Sequence, residues 1–255
     1  MQKIMLVTGG SRGIGAATAR LAAARGYAVA VNYARDAAAA RQVVNAITGS
    51  GGRALAIQAD VADEAQVVAM FARVDDELGP LSVLVNNAGV VDRRARVAEM
   101  GAARLRRMFD INVVGSFLCA REALLRMSTR DGAGRGAGYG QGGCIVNVSS
   151  AAARLGSPGQ YVDYAAAKAA IDTFTLGLAR EVAGEGVRVN AVRPGIVDTE
   201  IHASGGEPDR VELSKGAIPM QRGGRAEEIA EAIIWLASEA ASYSTGAVLD
   251  ATGGR

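Results

Sequence analysis

Residues 4–15 read IMLVTGGSRGIG, and this stretch decides the fold class. A short apolar run, Ile4–Thr8, enters a turn with glycine at 9, 10, 13 and 15 and leaves it as the alanine-rich segment AATARLAAA. A strand that turns through glycines straight into a helix is the opening of a βαβ unit, the repeating element of a parallel sheet with crossover helices.

The same alternation continues along the chain. Strands are expected at Ile4–Thr8, Ala28–Asn32, Ala54–Gln58, Val83–Asn86, Cys144–Val148, Arg188–Val192 and Ala247–Asp250. Helices are expected at Gly13–Arg25, Asp36–Ile47, Glu64–Leu78, Ala102–Met127, Gln160–Val182 and Ala226–Ser238. The expected fold is a single α/β domain over residues 1–255, a doubly wound seven-stranded parallel sheet of Rossmann type with helices on both faces. Two segments interrupt the pattern. Arg130–Gly143, RDGAGRGAGYGQGG, reads as a flexible surface loop, because glycine loses the most entropy on ordering. Asp198–Gly224 is too long for a plain connection in a compact domain and reads as a substrate loop.

Composition excludes several functions. The 28 basic and 26 acidic residues give a net charge of only +2 and are scattered, so neither nucleic acid nor an anionic membrane is an expected partner. Met1-Gln2-Lys3 runs directly into IMLV, too short for a signal segment, and no apolar run reaches the roughly 18 residues of a spanning helix. Cys119 and Cys144 lie in apolar runs and read as buried reduced thiols, so the protein is expected to be soluble and cytoplasmic. With His202 the only histidine, neither a metal cluster nor a serine–histidine pair is expected.

Chemistry must then come from other groups. Tyr164 and Lys168 in YAAAK are i and i+4 on one helix, so their side chains share a face. Bringing a phenol of pKa ~10 to about 7 requires roughly 4 kcal/mol. One cation at about 5 Å supplies on the order of 3 kcal/mol at an effective dielectric near 20. Tyr161 competes as the phenol but has Ala165 at i+4; Ser149 competes with Ser150, and strand alternation does not choose between them. At the glycine turn, Gly9 allows the sharp bend, Gly13 lets backbone approach a pyrophosphate, and Gly15 allows close helix–strand packing. NNAG at 86–89 ends the fourth strand, with Asn87 reading as structural glue; Asp60 reads equally as an adenine contact beside Val61 or as a loop cap.

Together, TGGSRGIG, NNAG, Asn112 in FDINVVG, Ser150 in NVSS, YAAAK and Pro194-Gly195 in RPGIVDT resemble the classical short-chain dehydrogenase/reductase family over essentially the whole chain. Within the family, the segment 147–168 is similar to a bacterial subgroup of glucose-dehydrogenase-like and oxoacyl-reductase-like oxidoreductases. The resemblance implies hydride transfer between a nicotinamide cofactor and a carbonyl or secondary alcohol. It implies Tyr164 as general acid/base, Ser150 on the substrate oxygen, Lys168 also on the nicotinamide ribose, and Asn112 positioning a water. Cofactor contacts are expected from Gly9, Ser11, Arg12, Gly13, Ile14, Gly15, Asn32, Tyr33, Asp60, Val61, Asn86, Ala88, Gly89, Tyr164, Lys168, Pro194, Gly195, Val197 and Thr199.

The second strand ends at Val31-Asn32-Tyr33 without a carboxylate, while Arg12 and Arg35 stand near, so NADPH is expected over NADH. Asp36 keeps NAD open if that strand runs long, as an NAD-dependent sugar dehydrogenase would require. A non-catalytic dinucleotide sensor on the same fold is the reading from another class, although it would normally have lost the tyrosine or lysine. Arg126, Arg130 and Arg180 read either as a docking site for an acidic carrier protein or as solvated helix faces. Helix 102–127 is apolar around most of its circumference, which implies a homo-oligomer, dimer or tetramer, completed with the helix of Ala165, Ala166, Ala169 and Ala170.

Overall fold

A computed structural model describes residues 2–255, with the side chain of His202 outside the described residues. Strands β1 (Ile4–Val7), β2 (Ala28–Tyr33), β3 (Ala54–Gln58), β4 (Val83–Asn86), β5 (Gly143–Val148), β6 (Val187–Pro194) and β7 (Val248–Ala251) form one sheet in the order β3-β2-β1-β4-β5-β6-β7. Every neighbouring pair is parallel. The helices are α1 (Gly13–Ala24), α2 (Ala37–Gly49), α3 (Glu64–Glu77), α4 (Ala102–Phe109), α5 (Gly115–Met127), α6 (Ala152–Leu155), α7 (Val162–Val182), α8 (Ile201–Ser204), α9 (Arg210–Ser214) and α10 (Ala226–Ala237).

The period-2 pleat explains both layers. Ile4, Leu6, Ala28, Ala30, Leu84 and Ile145 point to one face, where α3, α5 and α7 cover them with Phe71, Cys119 and Leu178 among others. Met5, Val7, Val29, Val31, Val85 and Val146 point to the other face, under α1, α2 and α10. A sheet covered on both sides by helices is the doubly wound fold that the alternating pattern predicts. Among the described residues no helix is long and apolar enough to cross a membrane.

Three segments depart from the expected elements. The helix 102–127 is broken by a π-helical turn, Asp110–Val114, between α4 and α5. The Asn112 side chain donates to the Met108 and Val90 carbonyls and accepts from the Val90 N–H, so it competes with the backbone ladder where the helix widens. The glycine-rich segment 130–143 is not the free loop expected. Gly132, Gly140 and Gly142 donate at 2.8 Å to the carbonyls of Ser128, Arg126 and Met127. Gly142 has φ +77°, and a Cβ there would stand 2.5 Å from the Gly186 carbonyl oxygen. Close approach, with backbone partners, accounts for that glycine. Residues 198–224 fold into α8, α9 and a 3-10 turn and are not simply irregular.

Arg126 is corrected as well. It is buried, paired with Asp75 and Glu122 and placed 5.1 Å over the Phe71 ring, so it is no docking residue. Arg130 pairs with Asp131 and Glu185.

Polar side chains bind the strands internally. Asn86 donates to Asn147 Oδ1 at 3.0 Å and to the Ser116 carbonyl, and Asn147 donates to Thr175 at 2.9 Å. All three of these side chains are buried, so each bond lost among them leaves a polar group less satisfied away from water. Asn147→Leu should therefore take one hydrogen bond each from Asn86 and Thr175, which keep the Ser116 and Ile171 carbonyls, and cost about 1–3 kcal/mol of stability. Urea denaturation measures this, and a loss under about 1 kcal/mol would contradict the assigned hydrogen bonds.

Candidate active site

The strand order reverses between β1 and β4, with strands added outward in opposite directions from that pair, which opens a crevice at the carboxyl ends of the strands. Thr8 and Asn87 close its floor. Thr8 Oγ1 accepts the N–H groups of Asn87 and Ala88 at 3.0 Å, and the Asn87 amide donates to the Thr8 and Gly9 carbonyls. Asn87 thus has the adhesive role read from its sequence position.

Two cavities lie above this floor. One, of about 420 Å³, is lined by Gly9, Ser11, Arg12, Gly13, Ile14, Asn32, Tyr33, Asp60, Val61, Ala88 and Gly89, among others. Gly9 and Gly13 take φ +59° and +51°, the left-handed region that favours glycine. Arg12 stands at the N-cap of α1 with no side-chain hydrogen bond to the helix, so the N–H groups of the first turn face this space uncapped. A glycine turn, an open helix amino terminus and a carboxyl-end crevice fit a dinucleotide pyrophosphate.

The remaining expected contacts divide. Gly15 is outside the lining, because it is packed under the turn: a Cβ there would lie 2.4 Å from the Gly9 carbonyl oxygen. Asn86 also lies outside, held by Asn147 and Ser116. Asn32 lines the cavity, but its side chain is engaged by the Gly9 N–H and by the carbonyls of Ile57 and Ala59, so it shapes the turn. β2 stops at Tyr33, and Asp36 caps α2 through the Ala39 N–H at 2.9 Å. Asp60 holds the Ala62 N–H as the loop cap and still borders the cavity. Sequence reasoning passed over Arg107 and Glu200, which also border it. Glu200 lies beside Gly13, brought there by the descent of chain after β6.

The second cavity, of about 430 Å³, shares Ile14, Asn87, Gly89, Thr199 and Ile201 with the first. Ser150, Tyr164, Lys168, Pro194, Gly195, Val197 and Thr199 line it. Ser149 is buried and donates to the Lys168 carbonyl, whereas Ser150 hydrogen-bonds with Tyr164. The geometry thus separates two serines that alternation left equal. Tyr161 is separated too, since its hydroxyl donates to Glu207.

Lys168 Nζ donates to the Val148 carbonyl at 2.8 Å and sits 5.6 Å from the Tyr164 ring centroid. Burial lowers its pKa to about 8, with Asp172 opposing. Burial raises the Tyr164 phenol above its ordinary value, against the lowering by the Ser150 hydrogen bond and the Arg210 charge. Lys168, expected to depress the phenol, is not among the groups that do so here. Desolvation outweighs its partners, and the lysine ammonium is directed at a main-chain oxygen.

Asn112 lies outside both cavities. Both amide hydrogens are used on Met108 and Val90, so its side chain braces the loop after β4. A Cβ on Gly89 would stand 2.8 Å from Asn112 Oδ1 and 3.5 Å from Lys168 Nζ, so residue 89 is squeezed between them.

Known proteins agree with this architecture. The family profile described as Enoyl-(Acyl carrier protein) reductase matches residues 9–255. The uncharacterized oxidoreductase YgfF of Escherichia coli (strain K12) is 58% identical over 252 residues, 99% of each chain. Cis-4-hydroxycyclohexanecarboxylate dehydrogenase of Sinomonas cyclohexanicum is 43% identical over 99% of this chain and 96% of its own. A short chain dehydrogenase from Burkholderia cenocepacia J2315, solved in complex with NADP, superposes with a TM-score of 0.87 at 34% identity, covering 99% of this chain and 97% of that one. Fold, motif order and relatives converge: the chain belongs to the short-chain dehydrogenase/reductase family, oxidoreductases acting on hydroxyl and carbonyl groups.

Proposed function

We propose that the protein is an NADP-dependent carbonyl reductase or secondary-alcohol dehydrogenase in which Tyr164 moves the proton. The observation that carries this reading is the joining of the two cavities, one built for a dinucleotide and one holding Tyr164, Ser150 and Lys168 together. The turn from Gly9 to Gly15 and the α1 amino terminus hold the pyrophosphate. Pro194, Gly195, Val197 and Thr199 border the nicotinamide end, and Lys168 bonds its ribose. When bound, the nicotinamide gives or takes the hydride. The raised pKa keeps the Tyr164 phenol protonated at neutral pH, the form that donates to a developing alkoxide, while Ser150 holds that oxygen. Asn112 acts through the brace to Val90, and any hold on a water falls to its main chain.

The whole chain acts as one catalytic domain, with residues 198–224 as the substrate segment. Buried thiols support a cytoplasmic setting: burial pushes Cys119 up to about 12 and Cys144 to about 11. A homo-oligomer is supported by the outer face of α5 and α7, where Phe117 is 48% exposed and stacks on Phe174 at 3.8 Å, beside exposed Leu125 and Leu176. Ala165 is buried within the subunit, so Ala166, Ala169 and Ala170 remain for that face. Alicyclic hydroxy compounds are the first substrates to try, given the Sinomonas relative.

Tyr164→Phe should lower turnover by roughly 10²–10⁴-fold with cofactor affinity nearly unchanged, and Lys168→Ala should damage both. Steady-state kinetics and cofactor titration test this; an active phenylalanine variant overturns the proton-transfer role.

NADPH should bind at least about tenfold more tightly than NADH, and Arg12→Ala should erase most of that margin. Fluorescence titration of both cofactors decides it, with equal wild-type affinities counting against the assignment.

Wild type should scatter light as a dimer or larger, and Phe117→Glu with Leu176→Glu should dissociate it. A wild-type monomer at micromolar concentration would refute the proposed interface.

A further inference from the structure

The outer half of the second cavity has a chemistry that the proton-transfer groups do not explain. Val91, Leu155, Pro158 and Ile201 give it apolar walls, and its charged side chains among the described residues are Lys168, Arg210 and Arg255, with no aspartate or glutamate. Lys168 lies inside, at the reacting end. Arg210 stands at the outer end, on α9, with its guanidinium 5.1 Å over the Tyr161 ring. It bonds Glu207 and contacts Gln160 Oε1 at 3.3 Å and the Tyr161 hydroxyl at 3.5 Å.

Glu207 does not neutralise this end. Its carboxylate is shared among Arg210, Arg94 and the Tyr161 hydroxyl, so two guanidinium groups meet one carboxylate and a positive charge is left over. Burial raises the Glu207 carboxyl, but the hydrogen bonds from Tyr161 and Arg210 and the charges of Arg210 and Arg94 together hold it below its usual value. It therefore stays ionised and keeps Arg210 fixed. Arg210 also reaches inward electrostatically, since its charge lowers the Tyr164 phenol. A fixed guanidinium over an aromatic ring, at the end of an apolar slot, suits a planar carboxylate.

We infer that the cavity selects carbonyl or alcohol substrates that carry a carboxylate on an apolar body, with Arg210 as the anchor for that carboxylate. The inference rests on the reductase reading above for the reaction, but not for the binding. Arg255 also lines the cavity. A neutral ester of the same shape loses the charge-assisted hydrogen bonds and leaves the guanidinium without its partner.

The test is calorimetric titration of the protein, alone and saturated with NADP, with cyclohexanecarboxylate and with its methyl ester. The acid should bind about tenfold or more tightly than the ester, and Arg210→Gln should bring the ratio close to one. Glu207→Gln separates anchoring from mere support of the loop: it removes the carboxylate but leaves the cation, so the acid should keep its advantage. Equal binding of acid and ester in wild type overturns the inference. So does a loss of acid binding in Glu207→Gln as large as that in Arg210→Gln. Oxidation of NADPH with 3-oxocyclohexanecarboxylate and with cyclohexanone is measured in parallel. Inactivity on both, with selective acid binding intact, would refute the reductase reading and leave the carboxylate site standing.

Discussion

The structure depends on a small polar knot where β1 and β4 end. Thr8 and Asn87 tie the two strand ends together, and Asn32 holds the Gly9 N–H from the β2 side. At a switch point the strands lose their next neighbour's crossover, and backbone groups there need other partners. Supplying them from side chains fixes the glycine turn without filling the crevice above it. The dinucleotide cavity and the cavity of Tyr164 therefore meet over one rigid floor.

Much of this was legible because it follows from local rules. The seven strands are short apolar runs between glycine and asparagine signals, and the order of turn, NNAG and YAAAK gave the fold and the grouping of Ser150, Tyr164 and Lys168. What escaped depends on contacts between distant segments. Asn32 and Asn86 stand at strand ends, where a ligand-facing side chain is plausible, yet both are drawn inward by neighbouring strands. Arg126 reads as a docking residue or a solvated face because the sequence does not show Asp75 arriving from α3. Arg107, Arg210 and Glu200 carried no local signal. Only the fold of segment 198–224, and of the helix before the π turn, carries them to the cavities.

The electrostatics of the site also run against a pairwise reading. A cation near a phenol lowers its pKa, but burial acts on both groups at once, pushing the phenol up and the ammonium down. The resting pair is thus drawn toward its neutral forms. Such a site is poised to respond to charge brought into it, and the groups that meet that charge are Lys168 inside and Arg210 outside.

The π turn at Asp110–Val114 has a consequence for the phase of the helix that contains it. A regular helix advances about 100° per residue, so a widened turn that accommodates an extra residue rotates everything after it by roughly that angle. The apolar stripe of α4 and that of α5 are therefore two stripes out of register. Projected onto one unbroken wheel, they merge into a helix that looks apolar all round. The rotation keeps Met108 and Asn112 and, further on, Cys119, Ala123 and Met127 on one interior face. A single deletion in 110–114 would remove the extra residue and restore regular pitch with α5 still facing the sheet, whereas regular pitch without the deletion would turn the wrong face of α5 inward.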